Sequence, residues 1–419
     1  MPAGFYLLIS AQFASALADN ALLIVTIACL QERALPLWWA PLLKLGYTVS
    51  YVVLAPFVGP LADAFPKARL MAWMNGVKVL GAVALLLGVH PVAAFALVGL
   101  GAAAYAPAKY GLITELVGAN RLVAANGWIE VSVVSAVLLG AVLGGALVSP
   151  WLLHSALATA GNAALSQLPM FSHSALNASL FALLSVYALA ALLNAGVPDS
   201  GVRYPASGID PLALIREFRQ ANLVLWRDRD GGLSLAVTTL FWGLGATLQF
   251  AVLRWAADAS GLPLDRAAYL QAAVALGVIG GASAAGRWVP LAQAKRMLAA
   301  GVVLGLLLPV TAATTQLALA VPLLVLVGAV GGLLVVPLNA LLQHRGQARL
   351  SAGRSIAVQG FNENASILVM LAVYAGLVAL EMPIVPLLAA FGGCIAVAMA
   401  ALMLRERRQT QREAASAAF

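Results

Sequence analysis

Cysteine and charge are both scarce in this sequence of 419 residues. The two cysteines, Cys29 and Cys394, stand in different apolar runs, so they offer neither a disulfide framework nor a zinc cluster. Four histidines without metal-ligand spacing leave metal chemistry no basis. Charged residues form only 10% of the chain against 62% hydrophobic, a composition more apolar than a soluble domain tolerates. A nucleophile motif and a phosphate-binding glycine loop are missing too, so the usual marks of an enzyme are absent and no cofactor is expected.

What the chain has instead is long apolar runs. A bilayer core of about 30 Å and a helical rise of about 1.5 Å per residue ask for about 20 residues per crossing. Runs between polar breaks predict twelve spans, near 5–30, 38–60, 70–89, 91–113, 125–149, 176–197, 232–256, 267–288, 296–315, 319–342, 355–380 and 384–404. Their helical character excludes an outer-membrane barrel. Without a basic leader region or a small-residue cleavage site before it, the first run reads as a retained span.

Basic residues then orient the chain. Lys67, Arg69, Arg121, five arginines from Arg203 to Arg229, Arg287, Lys295, Arg296, Arg345, Arg349, Arg354 and four tail arginines fall in one set of loops, whereas the opposite set holds Arg33, Arg254 and Arg266. This asymmetry predicts both termini in the cytoplasm. It also accounts for the net charge of +8 through contact with anionic headgroups, without nucleic acid. The expected organisation is a six-helix bundle over 1–197, a cytoplasmic linker with an amphipathic helix over 198–231, a second six-helix bundle over 232–405 and a cytoplasmic tail over 406–419. Pro198, Gly201, Pro205, Gly208 and Pro211 punctuate that linker. The stretch 150–175, with Trp151, His154 and His173, is expected outside as either an extended helix end or a lid.

The two halves repeat. Asn126-Gly127-Trp128-Ile129-Glu130 matches Gln359-Gly360-Phe361-Asn362-Glu363, and Pro107 matches Pro337, both about 230 residues apart. The loops Lys67-Ala68-Arg69-Leu70-Met71 and Ala294-Lys295-Arg296-Met297-Leu298 also correspond. The loop from Gly59-Pro60-Leu61-Ala62-Asp63 through Lys67-Ala68-Arg69 resembles the signature between the second and third spans of the major facilitator superfamily. Further motifs resemble its bacterial lysophospholipid transporters: Asp19-Asn20, Pro107-Ala108-Lys109-Tyr110-Gly111, Asn126-Gly127 with Glu130, the run Val336–Gly346, and Ser355–Gln359. The resemblance covers about residues 8 to 405. It implies an all-α major facilitator fold of 6+6 helices in the bacterial inner membrane. It further implies movement of lysophospholipid from the outer to the inner leaflet, where an acyltransferase–acyl-carrier-protein synthetase reacylates it.

Within the predicted spans stand Asp19, Lys44, Lys78, Lys109, Glu130 and Glu363. Each charge costs about 2.5–3.5 kcal/mol at a helix centre, so each needs a wet cavity or a partner. A lysophospholipid head carries a phosphodiester anion and, in the ethanolamine form, an ammonium. One cation and one carboxylate are the minimal complement. Lys109 for phosphate and Asp19 for amine are the first candidates, with Asn20, Lys78 and Tyr110 beside them. The competing expectations are a snorkelling Lys109 and an Asp19–Lys78 pair that only holds the bundle together. Lys44, near Trp38 and Trp39, suits an interface anchor. Glu130 and Glu363, with Asn126, Gln359, Asn362 and Arg345, suit a gate, and Asp63, Lys67 and Arg69 a structural latch at the cytoplasmic side. Gly140, Gly144 and Gly145 in the fifth run suit close, sliding helices. The expected function is a monomeric lysophospholipid flippase. The alternative is a facilitator of a soluble small molecule.

Overall fold

The computed structural model describes residues 1–35, 39–167, 171, 174–204, 208, 210–260 and 264–417. Trp38, His173 and Pro205, singled out above, lie outside these residues, as do the side chains of Arg266 and Arg412. Every regular element described is helical. The helices are α1 (Ala3–Glu32), α2 (Trp39–Ala64), α3 (Lys67–Leu86), α4 (Pro91–Leu116), α5 (Leu122–Leu147), α6 (Pro150–Leu153), α7 (Ala156–Ser166), α8 (Asn177–Ala195) and α9 (Pro211–Arg227). They continue with α10 (Arg229–Ser260), α11 (Leu264–Trp288), α12 (Leu298–Ala313), α13 (Leu317–Arg349), α14 (Ala352–Ala379) and α15 (Ile384–Ala417). All but α6, α7 and α9 are long and apolar enough to cross a bilayer once α12 is counted with the 3-10 turn Leu291–Met297 that leads into it, twelve among the described residues.

Local chemistry sets the boundaries. Pro66 stands at the N-cap of α3, so a residue that cannot continue α2 ends one span and starts the next. Pro91 opens α4 behind His90, whose Nδ1 accepts from the Val92 N–H. The described residues of the stretch 150–175 include two short helices. Ser149 and Ser155 cap the short helices α6 and α7. Asn162 then bonds the Ala175 carbonyl and the Ala178 N–H at 2.8 Å each, and Glu32 accepts from Ser174 and from the Ala175 N–H.

The chain forms two compact units. Unit 1 comprises 1–118, 132–223 and 346–361, and unit 2 comprises 119–131, 224–345 and 362–419. Helices α5 and α14 therefore each contribute their first turns to one unit and the remainder to the other. Leu22, Val25, Leu85, Phe95, Val98, Leu180 and Tyr187 form the core of unit 1. In unit 2 the core is Val237, Trp255, Leu298, Leu308, Leu338, Leu387 and Met399. Within unit 1, α5 lies against α1 at backbone distance: a Cβ on Gly140 would meet the Leu17 carbonyl at 2.8 Å, and one on Gly144 the Ala21 carbonyl at 2.8 Å. Glycine is required there, directly behind the Asp19–Asn20 stretch.

Candidate functional site

The charged centre of unit 1 is built on α1, α3 and α8. Asp19 and Lys78 each lie well inside their helices, and the Lys78 ammonium reaches Asp19 Oδ2 at 2.6 Å. Tyr187 donates its hydroxyl to the other carboxylate oxygen at 2.7 Å. Lys78 also donates to Ser15 Oγ at 2.9 Å, and the Ser15 hydroxyl donates in turn to Asn75 Oδ1 at 2.8 Å. The ammonium sits 4.9 Å from the centre of the Tyr105 ring. All five residues that bond one another are buried, Asp19 at 9% exposure and the others at 2% or less. The pair expected as one of two roles for Asp19 is thus present. Removing one member of such a buried pair costs about 3–5 kcal/mol, because the survivor is left charged and unpaired. Asn75 Nδ2 and Gln12 Nε2 are buried donors without a hydrogen-bond partner among the described residues. Asn20 turns its amide to the Ala16 carbonyl of its own helix, at 2.8 Å.

Lys109 and Tyr110 form a second cluster on α4. Lys109 is buried, with Nζ 4.1 Å from the centre of the Tyr110 ring. It stands seven residues before the end of α4, or about 10 Å along the axis. Lys44 is exposed at the start of α2.

A third cluster, still in unit 1, lies where α2 turns into α3. Asp63 accepts from the Ser351 hydroxyl and, at 2.9 Å, from the Gly353 N–H. A carboxylate from α2 thereby caps the N-terminus of α14, where the helix dipole favours negative charge. The approach is close: a Cβ on Gly59 would lie 3.0 Å from Arg354 Cα. Lys67 bonds Glu115 at 2.7 Å with both side chains buried, and its ammonium lies 4.8 Å from the Tyr204 ring centre. Burial, with Glu115 beside it, pushes the Tyr204 phenol up to about 12, so the ring stays neutral. Arg69, grouped with these residues in the sequence, is instead exposed.

The gate candidates divide between the units. In unit 2, Asn126 and Gln343 exchange amide hydrogen bonds at 2.8 and 2.9 Å, and Glu130 is buried one turn further along α5. Asn362 accepts from Trp226 Nε1 at 3.1 Å, and Glu363 is half-buried. Arg345 grips both carboxylate oxygens of Asp228, at 2.7 and 3.1 Å. Gln359 is buried in unit 1. A rim network completes unit 2: Lys295 bridges Asp230 at 2.6 Å and Glu406 at 2.7 Å, and Arg229 holds Glu406 and Glu413.

Sequence reasoning missed Ser15, Glu115, Tyr187, Asp228, Gln343 and Ser351. The internal repeat carried a signal for one of them, since Glu115 stands to Arg345 as Pro107 stands to Pro337. No group of three or more metal-ligating side chains occurs among the described residues.

Comparison with known proteins identifies the scaffold. The family model of the Major Facilitator Superfamily matches residues 8–371. The chain is 39% identical over 407 residues to the lysophospholipid transporter LplT of Escherichia coli K12 DH10B, covering 97% of this chain and 96% of that protein. It is 40% identical over the same length and coverage to LplT of Shigella flexneri. Among solved structures, a variant of the Escherichia coli fucose:proton symporter FucP superposes with a TM-score of 0.72 at 14% identity, over 96% of this chain and 98% of that one. The human organic anion transporter MFSD10 gives 0.71 at 15%, over 96% and 100%. These likenesses to solved structures concern the fold alone. Twelve apolar helices and these relatives make the chain a multi-pass inner-membrane protein, and it belongs to the major facilitator superfamily and, within it, to the family of the lysophospholipid transporter LplT.

Proposed function

We propose that this protein moves lysophospholipids, of the ethanolamine and glycerol types, from the outer to the inner leaflet of the bacterial inner membrane by alternating access. The observation that carries this reading is identity of 39% along almost the whole chain to a protein named for lysophospholipid transport. The protein acts as a monomeric carrier and not as an enzyme, with no cofactor, and supplies an acyltransferase–acyl-carrier-protein synthetase with substrate. Both termini face the cytoplasm, an orientation that the basic loops support.

The chemistry of unit 1 supports a headgroup site. A zwitterionic head is itself an ion pair, so it can exchange with one: its ammonium takes the place of Lys78 at Asp19, and its phosphate receives the released Lys78 ammonium. The uncommitted donor of Asn75 lies one hydrogen bond from this exchange, through Ser15. Lys109 and Tyr110 hold phosphate nearer the cytoplasm, where a lysine acts as a point charge and releases its cargo without breaking a bidentate fork. Alternating access then requires the exchanged segments to move. Residues 346–361 leave the Asp63 cap, and residues 119–131 leave the Asn126–Gln343 pair.

Leaflet-resolved uptake of labelled lysophospholipids into spheroplasts, with and without ion gradients, tests the reading. Uptake that requires this protein supports it. Uptake of glycerol phosphate with no uptake of any acylated form would assign the protein to soluble cargo instead.

A further inference from the structure

Helix α9 has two apolar faces, and only one of them is covered. On the first, Leu214, Phe218 and Ala221 line a narrow cavity with Pro56, Pro60 and Ala357, and Phe218 meets the Phe361 ring edge-on at 5.2 Å. On the second, Leu212, Ile215, Leu223 and Trp226 stay exposed, at 70%, 47%, 45% and 40%. At 3.6 residues per turn these four fall within roughly 80° of arc. Arg216, Arg219 and Arg227 are exposed within that strip or along its edge. The acid of the helix, Glu217, points the other way and bonds Arg354 at 2.8 Å.

A helix facing water would present polar residues on its outer side. An apolar strip edged with arginines, and free of acids, suits the boundary between acyl chains and anionic headgroups, where arginine stems lie along lipid and their heads reach phosphate. Position agrees with this. Arg227 is followed two residues later by Arg229, the start of a membrane span, so Trp226 stands at the level where tryptophan favours the bilayer interface. We infer that α9 is a lipid-anchored helix seated on the anionic surface of the leaflet it faces. That leaflet is the inner one on the topology proposed above, and the inference rests on that reading only for the choice of leaflet. Through Glu217 and Arg354, the anchored helix also steadies the turn of α14 that Asp63 caps.

The test uses the full chain with Cys29→Ser and Cys394→Ser, and Leu223→Cys carrying an environment-sensitive fluorophore; Ile215→Cys is the second position should the first fail to fold. The protein is reconstituted in phosphatidylethanolamine vesicles with or without phosphatidylglycerol. We expect emission to shift toward apolar values with phosphatidylglycerol and to revert in high salt. Replacing Arg216, Arg219 and Arg227 together by Gln should weaken docking by about a hundredfold, as three surface cations predict. Emission insensitive to lipid charge, salt and the Gln variant overturns the inference. Water-like emission in every vesicle, shifting only when an acidic soluble protein is added, overturns it in favour of a protein partner. Because the probe reports depth and not transport, loss of uptake with the shift retained would refute the transport reading and uphold this one.

Discussion

The two units place their ion pairs differently. Unit 1 carries an ion pair in its interior, with both carboxylate oxygens of Asp19 engaged and Lys78 shared with Ser15. In unit 2 the core is aliphatic around Trp255, whose indole N–H donates to the Ala312 carbonyl, and its Arg229–Glu406, Lys295–Asp230 and Arg345–Asp228 pairs each have one or both partners part-exposed. Rim pairs of this kind contribute little each, whereas a buried pair makes each of its members indispensable. On the proposed function, the interior charge of unit 1 is what reads the headgroup.

The largest effect that would break this contrast belongs to the interior pair. Asp19→Asn or Lys78→Ala alone should cost about 3–5 kcal/mol in detergent-solubilised stability, measured by thermal unfolding. The double variant Asp19→Asn with Lys78→Met should regain most of that loss, because no lone charge remains. Equal stability of either single variant and wild type would mean that the pair is not buried as described.

Next comes the α14 cap. Asp63→Ala removes an acceptor for two donors and should cost about 1–2 kcal/mol, while Gly59→Val should be worse, since a side chain there meets the α14 backbone. Protease sensitivity near residue 350 is the readout, and unchanged cleavage in both variants would dismiss the cap.

Lys109 sharpens the contrast through transport more than through stability. Lys109→Ala should impair uptake of ethanolamine and glycerol forms alike, Lys109→Arg should keep part of it, and Lys109→Glu should abolish it by setting like charge against phosphate. Intact uptake of both forms in Lys109→Ala would make the residue a snorkelling anchor. The smallest effect is expected at the unit 2 rim, where Arg229→Gln should change stability by about 1 kcal/mol or less and leave uptake in place.

The spans were readable because hydropathy over about 20 residues is a local property, and the structure places all twelve near the predicted ranges. The Asp19–Lys78 pairing was also readable, since two opposite charges deep in apolar helices have few ways to coexist. Tyr187 and Ser15 were not, because a single hydroxyl in an apolar run leaves no pattern. Glu115 and Asp228 fell just past the drawn ends of helices, where a carboxylate looks like an ordinary solvated residue. The exchange of 119–131 and 346–361 between units could not be read at all. It joins residues far apart in the chain, such as Asn126 with Gln343, through side chains whose local sequence suits helix packing equally well.

The most direct test of the central claim is leaflet-resolved uptake of lysophosphatidylethanolamine by the double variant Asp19→Asn with Lys78→Met, reconstituted at wild-type protein level. If the buried pair of unit 1 is the headgroup site, the variant is folded and transport is lost. Undiminished uptake by that folded variant would contradict the account, reducing the pair to a support of the bundle.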